Sequence, residues 1–253
     1  MKTPYKISAL AVTINKAQNF EPYLERLWFV DEIIIVDAFS SDQTAALASK
    51  NEKVTVYQRD FDDVSAQKSF AISKSKNDWV TFFDLDEEVT EAVANEILSV
   101  FTNPEAIAYS IKRSHYFMGK RLKYSGFQND YVIRFFNKNR CQVNADANIQ
   151  AIDSKDKTST LTHNLPYFHY KSLDEYTGEL HLKSELEANA LYEKGKKPNL
   201  YDFLFKPNFR FWHKYLFELA VLDGKEGFIL AYISAFSEFK KHLNLWLLYR
   251  KIE

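Results

Sequence analysis

The chain has 253 residues, 46% apolar and 26% charged, with 33 Lys/Arg against 34 Asp/Glu. That supplies one sizeable core with room for an appendage, and a net charge of −1 argues against wholesale nucleic-acid binding. A single cysteine, Cys141, excludes an internal disulfide and suits a reducing compartment, no run nears the roughly 18 apolar residues of a membrane-spanning helix, and the N-terminus lacks the apolar stretch of a signal peptide.

Residues 7–14 read as a buried strand and 15–28 as a helix with Phe20, Tyr23, Leu24 and Leu27 on one face. Residues 32–36 hold four consecutive β-branched side chains, as buried parallel strands do, and end at Asp37. A turn rich in N-caps, 40–44, opens a helix through Lys50. A strand over 53–58, a helix over 64–75, a strand over 79–83 and a helix over 91–101 follow. The alternation predicts a mostly parallel sheet covered on both faces, with ligands outside the carboxyl ends of its strands. Asn15, Asp37 and the pair Asp84/Asp86 each follow a predicted strand and so belong to that edge.

From 105 to 170 the pattern is irregular and strand-rich, with strands expected over 106–113, 131–137, 160–165 and 167–170. Ser172 and Glu175 form a capping box that opens a long helix to about Lys194, ended by Gly195. Pro198 and Pro207 are read as bracketing a connection, and 208–222 and 227–250 as two further helices. Residues 194–253 carry 11 Lys/Arg against 6 Asp/Glu and 14 of the 40 aromatics, whereas the rest is acidic, 22 against 28. These observations divide the chain into a main domain, 1–193, and a helical, aromatic and basic extension, 194–253. The first comprises an alternating half (1–100), a strand-rich half (101–170) and a long helix (171–193).

Asp84-Leu85-Asp86 places two carboxylates on the same side of an extended segment. There they can share a hard divalent cation and the diphosphate it carries. A solvated turn is the commoner explanation of a bare pair; Asp37 and Asn15 at neighbouring strand ends favour the functional reading. In that reading Asp37 accepts from uracil or ribose, Asp84 sits near the ribose and Asp86 binds metal. Gln67 and Lys68 read as an ordinary exposed pair or, functionally, as bringing Lys68 near the diphosphate or donor sugar.

Residues 36–44 (VDAFSSDQT), 66–71 (AQKSFA) and 84–89 (DLDEEV) together resemble glycosyltransferase family 2. More narrowly they are similar to bacterial lipopolysaccharide/lipooligosaccharide inner-core β-1,4-glucosyltransferases. The likeness continues through 129–136, 168–176 and 222–228. It implies a GT-A fold, Rossmann-like within the α/β class, and an inverting mechanism. It also implies a UDP-sugar donor bound by Thr13, Asn15, Asp37, Gln67, Lys68 and Asp84, and Mn²⁺ or Mg²⁺ on Asp86. His169, beside aromatics, reads as a packed histidine or, by the resemblance, as a second metal ligand.

The chain departs from these relatives at the base. An inverting transfer needs a group to take the acceptor hydroxyl's proton, and relatives often carry a His-Glu pair where Ile149 and Gln150 stand here. Asp130 is the candidate base, with Asp146 the alternative; a turn-capping role suits Asp130 equally. The resemblance implies a cytoplasmic transferase moving a hexose, glucose first among candidates, to a lipid-linked acceptor, an inner-core heptose. Another glycan acceptor, or UDP-sugar binding without turnover, are the rival readings. Residues 194–253 read either as core helices with snorkelling basic residues or as a surface that holds the protein on the anionic inner face of the bacterial inner membrane.

Overall fold

A run of β-branched residues, Ile33 to Val36, sits wholly inside, and its alternation shows how the sheet is covered. Ile33 and Ile35 join one apolar cluster and Ile34 and Val36 the other, as side chains on opposite faces of one strand must. The computed structural model describes residues 6–48, 51–170 and 173–251; the side chains of 169, 170, 173–176, 179 and 182 lie outside that description. The chain packs as two compact units, 1–113 with 130–167, and 114–129 with 168–253.

The first unit begins β1 (Ile7–Thr13), α1 (Ala17–Arg26), β2 (Glu32–Asp37), α2 (Thr44–Ala48), β3 (Val54–Gln58), α3 (Val64–Lys74), β4 (Trp79–Phe82) and α4 (Glu91–Thr102). Every element of the expected alternation is present. Strand β1 pairs in parallel with β2 and β4, and β2 with β3. Phe20 and Tyr23 of α1 and Val93, Ala94 and Ile97 of α4 fill the cluster on one face. Ala71 and Phe70 of α3 fill the other, with Cys141 and Ile149. Asp63 caps α3 through the Ala66 N–H (2.8 Å), and Thr90 caps α4 through the Val93 N–H (3.3 Å), satisfying donors that a helix start leaves free.

The chain continues through β5 (Ala108–Phe117), β6 (Lys120–Arg121), β7 (Tyr131–Asn137), β8 (Cys141–Val143), β9 (Ile149–Ala151), β10 (Thr158–Thr160) and β11 (Leu165–Tyr170). Strand β7 enters antiparallel between β4 and β5, giving the order β10-β5-β7-β4-β1-β2-β3. The hairpin β8–β9 forms its own small sheet. The strand expected over 160–165 is not there. Glu96 accepts from the N–H groups of Thr162 (2.6 Å) and His163 (3.0 Å), and holds those residues as a loop between β10 and β11.

The second unit holds α5 (Leu173–Glu193), α6 (Leu200–Trp212) and α7 (Lys225–Arg250). The long helix α5, assigned from sequence to the 1–193 domain, packs here on α7. Ser172 and its capping box lie outside the described residues. Pro207, expected in a connection, instead lies within α6. The helix starts earlier because Asn199 and Asp202 form a reciprocal cap, with N–H to side-chain distances of 2.9 and 3.2 Å. The single helix expected over 208–222 is broken. After Trp212 come a π-helical turn, His213–Phe217, a left-handed Leu219 (φ 62°) and a 3₁₀ turn, Ala220–Asp223.

Gly227 lies in the first turn of α7 against that 3₁₀ turn, and a Cβ there would lie 1.8 Å from the Ala220 carbonyl oxygen. Backbone cannot yield as a flexible side chain can, so Gly227→Ala is expected to cost about 3 kcal/mol. Urea unfolding measures this; a loss below about 0.5 kcal/mol would mean the turn relaxes freely.

Candidate active site

Strands β4, β1 and β2 are adjacent and parallel, so their carboxyl ends lie side by side. Thr13 ends β1 in register with Asp37, which ends β2. The chain then leaves each strand through a tight loop carrying a left-handed residue, Asn15 (φ 52°) and Phe39 (φ 51°). Asparagine tolerates that conformation; phenylalanine adopts it at a cost. The two loops are tied together. Asn15 Oδ1 accepts from the Ser41 N–H (2.8 Å), and the Asn15 N–H donates to Ser40 Oγ (2.8 Å). Asp37, fully buried, accepts from the Ser40 N–H (2.9 Å) and hydroxyl (2.5 Å). Asp42 accepts from the Ala17 N–H (3.0 Å) and from Thr44.

Asp84 and Asp86 follow β4 but face different partners. Asp84 accepts from Arg134 Nη2 (2.6 Å). Arg134 comes from β7 and spans to Glu87, with Nε at 3.1 Å and Nη2 at 2.6 Å from Oε1. Glu87 also accepts from the Asp84 N–H (3.0 Å), and Arg113 of β5 stands 3.8 Å away. Arg113 in turn grips Asp130 with two bonds, 2.7 and 3.1 Å. The result is a chain of three carboxylates and two guanidinium groups across β4, β5 and β7. Asp86 accepts from Lys16 Nζ (3.0 Å) and Asn19 Nδ2 (2.7 Å) of the first α-helical loop and turn.

A cavity of about 280 Å³ opens on this network, lined by Lys68, Asp84, Arg113, Arg134, the 131–133 stretch and the 147–149 loop. Lys68 reaches it from α3, its ammonium donating to the Ala147 carbonyl (2.9 Å) and standing 5.3 Å over the Phe82 ring. The hairpin β8–β9 supplies that carbonyl. Asn144 Oδ1 accepts from the N–H groups of Asp146 (3.0 Å) and Asn148 (2.9 Å), and Ala147 sits at φ 58°. Ile149 lines the cavity wall while Gln150 is exposed on its strand.

Burial and charge compete throughout. Burial pushes the Asp84 carboxyl up, but the charges of Arg134, Lys68 and Arg113 outweigh it and hold it below the usual range. Glu87 is fully enclosed; there burial prevails over Arg134, the neighbouring Asp84 adds to it, and its carboxyl is pushed up to about 7. Desolvation lowers the Lys68 ammonium, partly opposed by Asp84. Burial raises the phenols of Tyr23 and Tyr167, which border the same charges.

Because Glu87 titrates higher in the folded chain than its ordinary 4.5, the folded state binds the extra proton between those values. Its contribution to stability is therefore full below about 4.5 and is lost as pH rises to about 7. Glu87→Gln is expected to flatten the fall in urea midpoint between about pH 5 and 8; an unaltered slope would assign the fall elsewhere.

The sequence-predicted residues thus fall into groups. Lys68 and Asp84 share the cavity, and Asp130 joins its network through Arg113. Thr13, Asn15 and Asp37 gather at the adjoining strand ends. Gln67 is buried in α3, its amide donating to the Asp60 carbonyl (2.6 Å). Among the described residues, Thr13 Oγ1 and Gln67 Oε1 are buried atoms with no hydrogen-bond partner. The side chain of His169 lies outside the described residues. Arg134, Arg113 and Glu87 were not singled out from sequence, although Glu87 and Arg134 stand inside the stretches that carry the resemblance.

The profile of one family, Glycosyl transferase family 2, matches residues 8–177. An uncharacterized glycosyltransferase of Rickettsia bellii is 27% identical over 254 residues, spanning 95% of this chain and 86% of its own. The lipopolysaccharide core biosynthesis glycosyltransferase LpsC of Rhizobium meliloti is 24% identical over 238 residues, 90% of this chain and 87% of its own. Among solved structures, S. aureus TarS 1–349 in complex with UDP-GlcNAc superposes with a TM-score of 0.52 at 13% identity, covering 98% of this chain and 92% of that one. That likeness is one of fold, and the fold is GT-A-like.

Proposed function

The chain belongs to glycosyl transferase family 2, and on that premise we propose that it transfers a hexose, glucose first among candidates, from a UDP-sugar to a heptose of a lipid-linked inner-core glycan, with inversion. The observation that carries this reading is the gathering of Thr13, Asp37 and the Asp84–Asp86 segment at three adjacent carboxyl strand ends. Open sheets of this kind bind their ligands there. The UDP-GlcNAc in the TarS complex and the core-biosynthesis role in the name of LpsC support donor and acceptor class respectively.

In this reading the unpartnered Thr13 and Gln67 oxygens and the Asp37 loop receive nucleoside donors, and Lys68 faces the diphosphate or transferred sugar. A hard cation of the Mn²⁺ or Mg²⁺ kind takes one or two carboxylates plus substrate phosphates rather than an all-protein cage. Among the described residues no cluster of three His, Cys, Asp or Glu side chains could hold a metal. Asp86, a carboxylate held by Lys16 and Asn19, fits that mode, and His169 is the other residue we propose for metal. Such an ion supplies neutralisation of the leaving diphosphate. The acceptor hydroxyl attacks the anomeric carbon as UDP departs, and its proton must go to a base. Asp130 is our candidate; since both its oxygens lie in the Arg113 fork, one must come free to accept the proton.

The test is slow hydrolysis of one UDP-sugar by purified protein with Mn²⁺. Failure to bind UDP with any divalent ion would falsify the reading. Ile149 on the cavity wall, where the family it resembles often carries histidine, favours a second reading, UDP-sugar binding without turnover. Tight binding with no transfer across a full acceptor panel would select it.

A further inference from the structure

Helix α6 is turned inside out relative to an ordinary surface helix. Its buried residues are Asp202 and Pro207. Its large apolar side chains face solvent: Tyr201 is 58% exposed, Leu204 51%, Phe205 61%, Phe209 69% and Trp212 51%, and Phe217 in the following π-helical turn is 76% exposed. Residues 201, 204, 205, 209 and 212 recur at helical spacing, so they form one stripe rather than scattered exposures. Beside it an apolar groove of about 430 Å³ runs between α6 and α7, lined by Phe211, Trp212, Phe228, Tyr232, Phe236 and Phe239 among others. Soluble monomers rarely leave an apolar surface of this extent uncovered.

The charges around the stripe say what covers it. Lys194, Lys196 and Lys197 lead into α6 and are exposed. Glu193 stands beside Lys194 against three lysines, and the acidic residues on the stripe's flank, Asp202 and Glu218, are already engaged. Asp202 pairs with Lys206 (2.6 Å), and Glu218 with Lys214 (2.8 Å), Arg210 (3.3 Å) and His213 (3.2 Å). A second copy of the chain seated on this face would therefore bring basic surface against basic surface. An anionic bilayer meets both demands, since its acyl boundary takes the aromatic stripe and its headgroups take the lysines. Among the described residues no helix is long and apolar enough to cross a membrane, so the contact lies in the plane of the interface.

We propose that α6 and the lysines preceding it form an interfacial membrane-binding surface selective for anionic lipid, seated with the 201–212 stripe in the headgroup–acyl boundary. The inference does not depend on the donor-site reading. Vesicle flotation tests it, using phosphatidylcholine alone and phosphatidylcholine with a quarter phosphatidylglycerol. The wild-type chain is expected to float with the anionic vesicles and far less with the neutral ones. Phe205→Ser with Phe209→Ser should lower partitioning about tenfold or more. Lys194→Ser, Lys196→Ser and Lys197→Ser should each lower it about fivefold, on anionic vesicles only. All five side chains are exposed, so the thermal midpoint and UDP binding should stay unchanged. Absence of wild-type binding, or equal binding by the Phe205/Phe209 variant, overturns the proposal. So does a lipid-free dimer that the same variant converts to monomer.

Discussion

Replacing Arg134 by methionine is expected to lower stability by about 3–5 kcal/mol at pH 8. The guanidinium side chain is 5% exposed, and its partner Glu87 not at all. At 2.6 Å from both Asp84 and Glu87 it is the group that makes two neighbouring carboxylates tolerable. Removing it leaves Glu87 enclosed, with Arg113 only 3.8 Å away as the remaining cation. Glu87 must then take up a proton or carry an uncompensated buried charge, and either costs free energy. Methionine keeps the volume, so cavity formation contributes little. Adding Glu87→Gln removes the charge left behind and should recover much of the loss, because breaking half a buried pair is worse than removing both halves. The double variant should not recover UDP affinity, since Asp84 still lacks its partner at the cavity. Urea unfolding at pH 8 reads the first two effects and UDP titration the third. A loss below about 1 kcal/mol would mean that water or Arg113 satisfies Glu87 unaided.

That network marks where the sequence stops being readable. The alternating strands and helices were legible because their patterns are local, short apolar runs in β1, β2 and β4 and an apolar face at helical spacing in α1. The edge where Asp37 and Asp84 gather followed, because strand order in a parallel sheet places carboxyl ends together. Arg134 is different. It lies 47 residues from Glu87 and 50 from Asp84 in sequence, and within β7 it sits among apolar side chains as an outward-facing residue would. Only the antiparallel entry of β7 beside β4 turns it inward, and no periodicity announces that. Pro207 failed for the opposite reason: a strong local rule was outweighed. The Asn199–Asp202 cap eight residues upstream was the available signal that the helix had already begun.

Asp86 carries the largest expected effect on activity, and its present partners define how to test it. Its carboxylate is 21% exposed and receives the Lys16 ammonium and the Asn19 amide. An exposed or half-exposed pair of this kind stabilises a fold by about 1 kcal/mol at most. Asp86→Asn preserves the size and an oxygen able to accept from both partners, so the fold should hold. What it removes is the negative charge on which a hard cation depends. If that cation neutralises the departing diphosphate, its loss costs several kcal/mol of barrier, and Mn²⁺-dependent hydrolysis of the UDP-sugar should fall about 10³-fold. The accompanying readout is Mn²⁺ affinity in the presence of UDP, expected to weaken in parallel while the thermal midpoint moves by a degree or two at most. A purely structural Asp86 gives the other pattern, with turnover kept within tenfold and Mn²⁺ affinity unmoved. The two outcomes separate because Lys16 needs only an acceptor, which asparagine still offers, whereas a divalent ion needs the charge.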